Sequence, residues 1–139
     1  MGTIQFFTED ISHKLVSPVK TKQWIRSIIE AEGFTPGTVN YVLCSDEYLL
    51  EMNRQYLEHD YYTDILTFDN SESETEIEGD IFISMERVLE NAGNESVSPD
   101  VELRRVLAHG VLHLCGYDDH AAEEKATMRK KEDYYLSLF

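Results

Sequence analysis

Apolar residues recur along this chain with two periods, and the points where the period changes divide it into elements. Thr3-Ile-Gln-Phe-Phe7 reads as a first strand. From Pro18, which suits the first helical position after Ser17, Trp24, Ile25, Ile28 and Ile29 follow at helical spacing as far as Gly33, a residue that ends helices well. Pro36-Gly37 marks a turn, after which Val39, Tyr41 and Leu43 alternate with Asn40 and Cys44 as in a half-buried strand. Ser45-Asp46 caps a second helix carrying Leu49, Leu50, Asn53 and Tyr56. Ile65–Phe68 and Ile81–Ile83 are two further short strands, and the acidic stretch from Asn70 to Glu78 between them has no period and reads as a mobile hairpin loop.

The second half of the chain is helical. Ser84 opens a helix through Val88 and Leu89 that Gly93-Asn94 ends. Ser98-Pro99-Asp100-Val101-Glu102 is a strong helix start with acids in the first turn. Leu103, Val106, Leu107, Val111, Leu112 and Leu114 then make that helix apolar over most of its circumference, which predicts a central, buried element. An amphipathic helix from about Ala121 to Leu138 closes the chain. This order predicts one α+β domain over residues 1–139, a small mixed sheet of about four strands packed against about five helices.

Composition narrows the classes. At 139 residues, 42% apolar and 28% charged, the chain can bury a core without disulfide or metal staples. No apolar run reaches the roughly 20 residues of a membrane span. The N-terminal segment lacks a basic region followed by a long apolar stretch, so a cytoplasmic location is expected. Cys44 and Cys115 stand in no metal or redox spacing and read as buried thiols. A net charge of −15 argues against indiscriminate nucleic-acid binding, and neither DNA nor a membrane is an expected partner. Acids concentrate at Glu72, Glu74, Glu76, Glu78 and Asp80, whereas Lys125, Arg129, Lys130 and Lys131 put basic groups on the last helix.

The chemistry concentrates in His109-Gly-Val-Leu-His113-Leu-Cys-Gly116-Tyr-Asp118-Asp119-His120. Imidazoles at i and i+4 of a helix lie on one face about 6 Å apart along the axis, close enough to share an ion. A lone histidine on a buried helix is most often a core residue with a satisfied hydrogen bond. A pair at this spacing, followed by a glycine able to turn the chain back and then by Asp and His, points instead to metal ligands on the central helix. In metallopeptidases the residue after the first histidine is a glutamate general base; Gly110 stands there in this chain.

At these residues the chain closely resembles the YbeY family of bacterial endoribonucleases, whose signature is His-Gly-x-Leu-His-Leu-x-Gly-Tyr-Asp-His. The match runs from His109 through Asp118, and Asn53-x-x-Tyr56, Thr63–Phe68, Gly79–Ile83 and Met128 follow the family's order and approximate spacing. In two places the chain departs from the family. Its third metal ligand, a histidine, falls in gap-free register on Asp119, with His120 one place later as the alternative. Its arginine after the Asn-x-x-Phe/Tyr element is replaced by Leu57, with Arg54 and His59 as possible substitutes in substrate binding.

The resemblance implies a metal-dependent, single-strand-specific endoribonuclease. It would act in ribosomal RNA maturation, at the 3′ end of the small-subunit RNA, and in ribosome quality control, with single-stranded rRNA and the small subunit or its proteins as partners. The metal would be Zn²⁺, one per chain, held by His109, His113 and Asp119 and activating water against a phosphodiester, other divalent transition metals being compatible. Asp118 is a candidate general base or a group that orients an imidazole. The alternatives are a non-catalytic ribosome-assembly factor with a structural metal and, ranked below it, a zinc peptidase.

Overall fold

Alternating residues build one sheet, and residues at helical spacing build the helices that cover it. The computed structural model describes residues 2–57 and 63–139. In chain order it contains β1 (Ile4–Thr8), α1 (Pro18–Ala31), β2 (Thr35–Cys44), α2 (Asp46–Leu57), β3 (Ile65–Asp69), β4 (Glu76–Ser84), α3 (Met85–Asn94), α4 (Pro99–Leu114) and α5 (Ala122–Ser137). The strands form one mixed sheet in the order β1-β2-β4-β3, parallel for β1–β2 and β2–β4 and antiparallel for the β3–β4 hairpin. The α+β architecture read from the sequence is the observed one.

Register decides what each face carries. Tyr41 pairs with Ile81, and Leu43 and Ile65 both pair with Ile83, so these residues share the face that packs on α1 and α4. The buried Tyr41 hydroxyl donates to the Leu107 carbonyl at 2.7 Å, joining sheet to central helix. Cys44, Leu66, Phe68 and Phe82 point to the other face, where α2 covers them with Leu49, Tyr48 and Met52. Helices α3 and α5 pack on α4. Among the described residues no helix is long and apolar enough to cross a membrane.

The caps agree with the chain's punctuation in three places. The hydroxyls of Ser45, Ser84 and Ser98 accept the backbone N–H of Tyr48, Arg87 and Val101 at 3.1–3.3 Å, each satisfying a donor that a helix start leaves open. Two expectations are corrected. Pro36 and Gly37 do not make a turn but lie inside β2, where the register shifts between Pro36 and Val39. Pairing with β1 starts only at Val39, so at Pro36 the strand is paired with β4 alone and a residue without an N–H is tolerated. The acidic segment is not loop throughout, because β4 begins at Glu76 and pairs there with Thr35. Helix α3 ends at Asn94, where the Gly93-Asn94 pair predicts, and the left-handed residue after it is Ser96, at φ 57°.

Candidate metal centre

The site is made by one helix, the turn that ends it and the helix that returns. Arg105, His109 and His113 recur every four residues along α4 and so form one stripe, beside the apolar surface that faces the sheet. Gly110 belongs to that sheet-facing surface. A Cβ there would lie 3.0 Å from Ile81 side-chain carbons and 3.2 Å from Ile65, so a glutamate at this position would collide with the sheet. The general base of a peptidase has no room.

Helix α4 ends in a Schellman turn. Gly116 adopts φ +107°, its N–H donates to the His113 carbonyl at 3.0 Å, and the Tyr117 N–H donates to the Leu112 carbonyl at 3.1 Å. The chain thereby reverses and returns Asp119 to the histidines. Tyr117 anchors the reversal: its hydroxyl donates to Glu32 Oε1 at 2.6 Å, and Glu32 also accepts from Lys131 at 3.1 Å and from the Tyr135 hydroxyl. One nearly buried carboxylate at the end of α1 thus ties the turn to α5. Burial opposes its charge, but the Tyr117, Tyr135 and Lys131 donors outweigh burial and hold Glu32 below its ordinary pKa.

The donors converge. His109 Nε2 and His113 Nε2 are 2.9 Å apart, and Asp119 places Oδ2 3.3 Å from the former and Oδ1 3.5 Å from the latter. One ligand atom from each of the three residues falls within 4.8 Å of the others. Two imidazole lone pairs this close repel unless a proton or a cation lies between them, and two nitrogens with a carboxylate oxygen are a donor set that fits a divalent transition metal. This group can hold a metal ion.

Around the cluster lie groups that the sequence did not single out. Glu132, on the buried face of α5 with Met128 and Tyr135, accepts from His109 Nδ1 at 2.7 Å, which turns Nε2 toward the cluster. Its other oxygen accepts from Arg105 at 3.1 Å, and Arg105 reaches Asp133 at 2.8 Å. Burial alone would lower the His109 pKa, but the bond and charge of Glu132, then the charges of Asp119 and Asp64, overcome it and the pKa is raised. His113 is shifted the other way, by burial first and the charge of His109 second. Burial also pushes the Cys115 thiol, one turn from this cluster, up to about 12.

A cleft of about 410 Å³ opens beside the cluster between α3, α4 and α5, with Asp64, His109, Asp119 and Glu132 at one part and Glu102 and Asn91 at another. Of the four basic residues of the last helix, Lys125 and Arg129 line this cleft, whereas Lys131 is turned to Glu32. Asp118 is exposed beside Asp119, and His120 is exposed and stands outside the donor cluster. Arg54 lies on α2, paired with Glu51 at 3.7 Å, and is not among the cleft residues. His59 falls outside the described residues. The one signal that could have revealed Glu132 is its position four residues after Met128 and three before Tyr135, a single stripe of α5.

The family model described as endoribonuclease YbeY matches residues 6–139. Endoribonuclease YbeY of Cytophaga hutchinsonii is 53% identical over 136 residues, covering 98% of this chain and 95% of the relative. The Flavobacterium psychrophilum protein of the same description is 46% identical over 133 residues, 96% of this chain and 94% of its own. A solution structure of a Thermotoga maritima protein superposes with a TM-score of 0.69 at 30% identity, covering 96% of this chain and 87% of that one. A match that spans nearly the whole sequence and extends to the fold goes well beyond the histidine signature: the chain belongs to the endoribonuclease YbeY family.

Proposed function

We propose that this protein is an endoribonuclease that cleaves phosphodiester bonds in single-stranded RNA with a divalent metal, zinc by donor type, held by His109, His113 and Asp119. The observation that carries the reading is the convergence of the three side chains, with the two Nε2 atoms 2.9 Å apart and both Asp119 oxygens turned to them. The description shared by the family and its relatives supports the reaction class.

When bound, the cation would supply Lewis acidity, making water a better nucleophile and offsetting charge on the phosphoryl oxygens. The chain's own residues do the rest. Glu132 holds the Nδ1 proton of His109 and fixes the ring's direction, and Arg105 pairs with Glu132 in a nearly buried place. The anchored turn sets Asp119 in position, whereas Asp118 beside it is exposed and stands outside the residues that line the cleft, so it is given no proton-transfer role. Lys125 and Arg129 on the cleft wall draw in the RNA backbone.

The family resemblance supports ribosomal RNA in the cytoplasm as the substrate, and the net charge of −15, which disfavours capture of free RNA, agrees with presentation by a ribosomal particle. In this reading the enzyme matures the 3′ end of the small-subunit RNA and acts in ribosome quality control, with the small subunit or its proteins as docking partner. The test is cleavage of a labelled single-stranded RNA by protein stripped with a chelator and then reloaded with Zn²⁺, Mn²⁺ or Ni²⁺. Loss on stripping with the fold intact, and recovery on reloading, is the expected result. Equal cleavage by stripped protein would overturn the metal role, and no cleavage by any loaded form would overturn the enzyme.

A further inference from the structure

The cleft continues along α4 away from the donor cluster, and there it meets a carboxylate for which the mechanism above has no use. Glu102 is 5% exposed, lines the cleft, and among the described residues its Oε1 is buried with no hydrogen-bond partner. Buried acceptors are almost always satisfied in folded proteins, so an unsatisfied one on a residue that lines a cleft is an acceptor waiting for a donor. Burial first and Glu95 second raise the Glu102 pKa, against the opposing Arg105 and Arg129.

We propose that this part of the cleft is a guanine-selective base subsite in which the Glu102 carboxylate accepts the N1–H and N2–H of the base. The inference deepens the endoribonuclease reading and rests on it for the view that the base arrives as part of an RNA strand. Glu102 precedes His109 by seven residues on the same helix, about 10 Å along its axis. That is the reach from a backbone phosphate at the donor cluster to the far edge of a purine beside it. At about 410 Å³ the cleft has the size of a small-molecule site.

The choice of base follows from donor and acceptor patterns. A carboxylate is an acceptor-only group with two oxygens side by side. Guanine alone offers two adjacent donors on one edge. Adenine and cytosine would set a ring nitrogen lone pair against the second oxygen, and uracil would set a carbonyl there. Asn91, also on the cleft wall, carries an amide donor of the kind that guanine O6 and N7 accept.

The test titrates GMP, IMP, AMP, CMP and UMP into the zinc-loaded full chain by calorimetry, with the wild type and Glu102→Gln. The phosphate is common to all five, so differences report the base. We expect wild-type protein to bind GMP roughly 10- to 100-fold tighter than AMP, CMP and UMP, with IMP, which lacks the 2-amino group, in between. Glu102→Gln should erase the difference. Equal binding of all five nucleotides, IMP equal to GMP, or GMP selectivity unchanged in Glu102→Gln would each overturn the subsite. The wild-type comparison of GMP with IMP decides the matter even if the variant does not fold. Cleavage of a mixed-sequence RNA separates this proposal from the one it rests on. GMP-selective binding with no RNA cut leaves the subsite standing and removes the endoribonuclease, whereas cleavage without base preference and without nucleotide selectivity does the reverse.

Discussion

Glu132 accepts a hydrogen bond from His109 at 2.7 Å across the α4–α5 interface, and this bond decides which nitrogen of the histidine faces Asp119 and His113. A carboxylate behind an imidazole raises its basicity and locks its rotation. Glu132→Gln keeps the shape and removes the charge. The variant should remain folded and bind zinc about 10- to 100-fold more weakly, read by competition with a chromogenic chelator.

The third ligand separates Asp119 from its neighbour. Asp119 lies 3.3 and 3.5 Å from the two histidine nitrogens, whereas His120 is exposed outside the cluster. Purified Asp119→Ala should carry far less metal than wild type and lose RNA cleavage, while His120→Ala should match wild type in both. Metal analysis of the two proteins side by side checks this, and the reverse outcome would exchange the ligand assignments.

Glu32 should make stability depend on pH. Its pKa is held below the unfolded value by Tyr117, Tyr135 and Lys131, so its contribution is fully present above the unfolded carboxylate range and fades as pH falls through the lower folded value. Glu32→Gln should cost about 2 kcal/mol at neutral pH. The difference in Tm between the two proteins should shrink on acidification, and melting curves from neutral pH to about pH 3 measure it.

Cys44 and Cys115 should resist alkylation in the native protein. Burial pushes each thiol up to about 12, leaving almost no thiolate at neutral pH. Mass spectrometry after iodoacetamide at pH 7.5 should show little labelling of folded protein and complete labelling in denaturant. Rapid native modification of Cys115, the half-buried one of the two, would show that its thiol is more acidic than its surroundings imply.

Gly110→Ala tests how closely α4 approaches the sheet. The added methyl would sit 3.0 Å from Ile81, so the helix or the isoleucine must shift. A loss of about 1–3 kcal/mol is expected by denaturant titration, without loss of the metal-binding side chains themselves.

What the chain determined by itself is local. Helix starts at Ser45, Ser84 and Ser98, the bend at Gly116, the alternation through Tyr41 and the His109–His113 pair all follow from contacts within a few residues, which spacing and residue type encode directly. Only the tertiary structure decided that Pro36 could enter a strand, because its tolerance depends on which neighbour it is paired with. The same holds for Glu32, Glu102 and Glu132. In sequence they are three among 27 acids, and what sets them apart is burial and partners contributed by segments far along the chain. A periodic pattern tells which residues turn inward, but the meeting of one inward carboxylate with one imidazole depends on how helices dock, and docking is a property of the whole packed core.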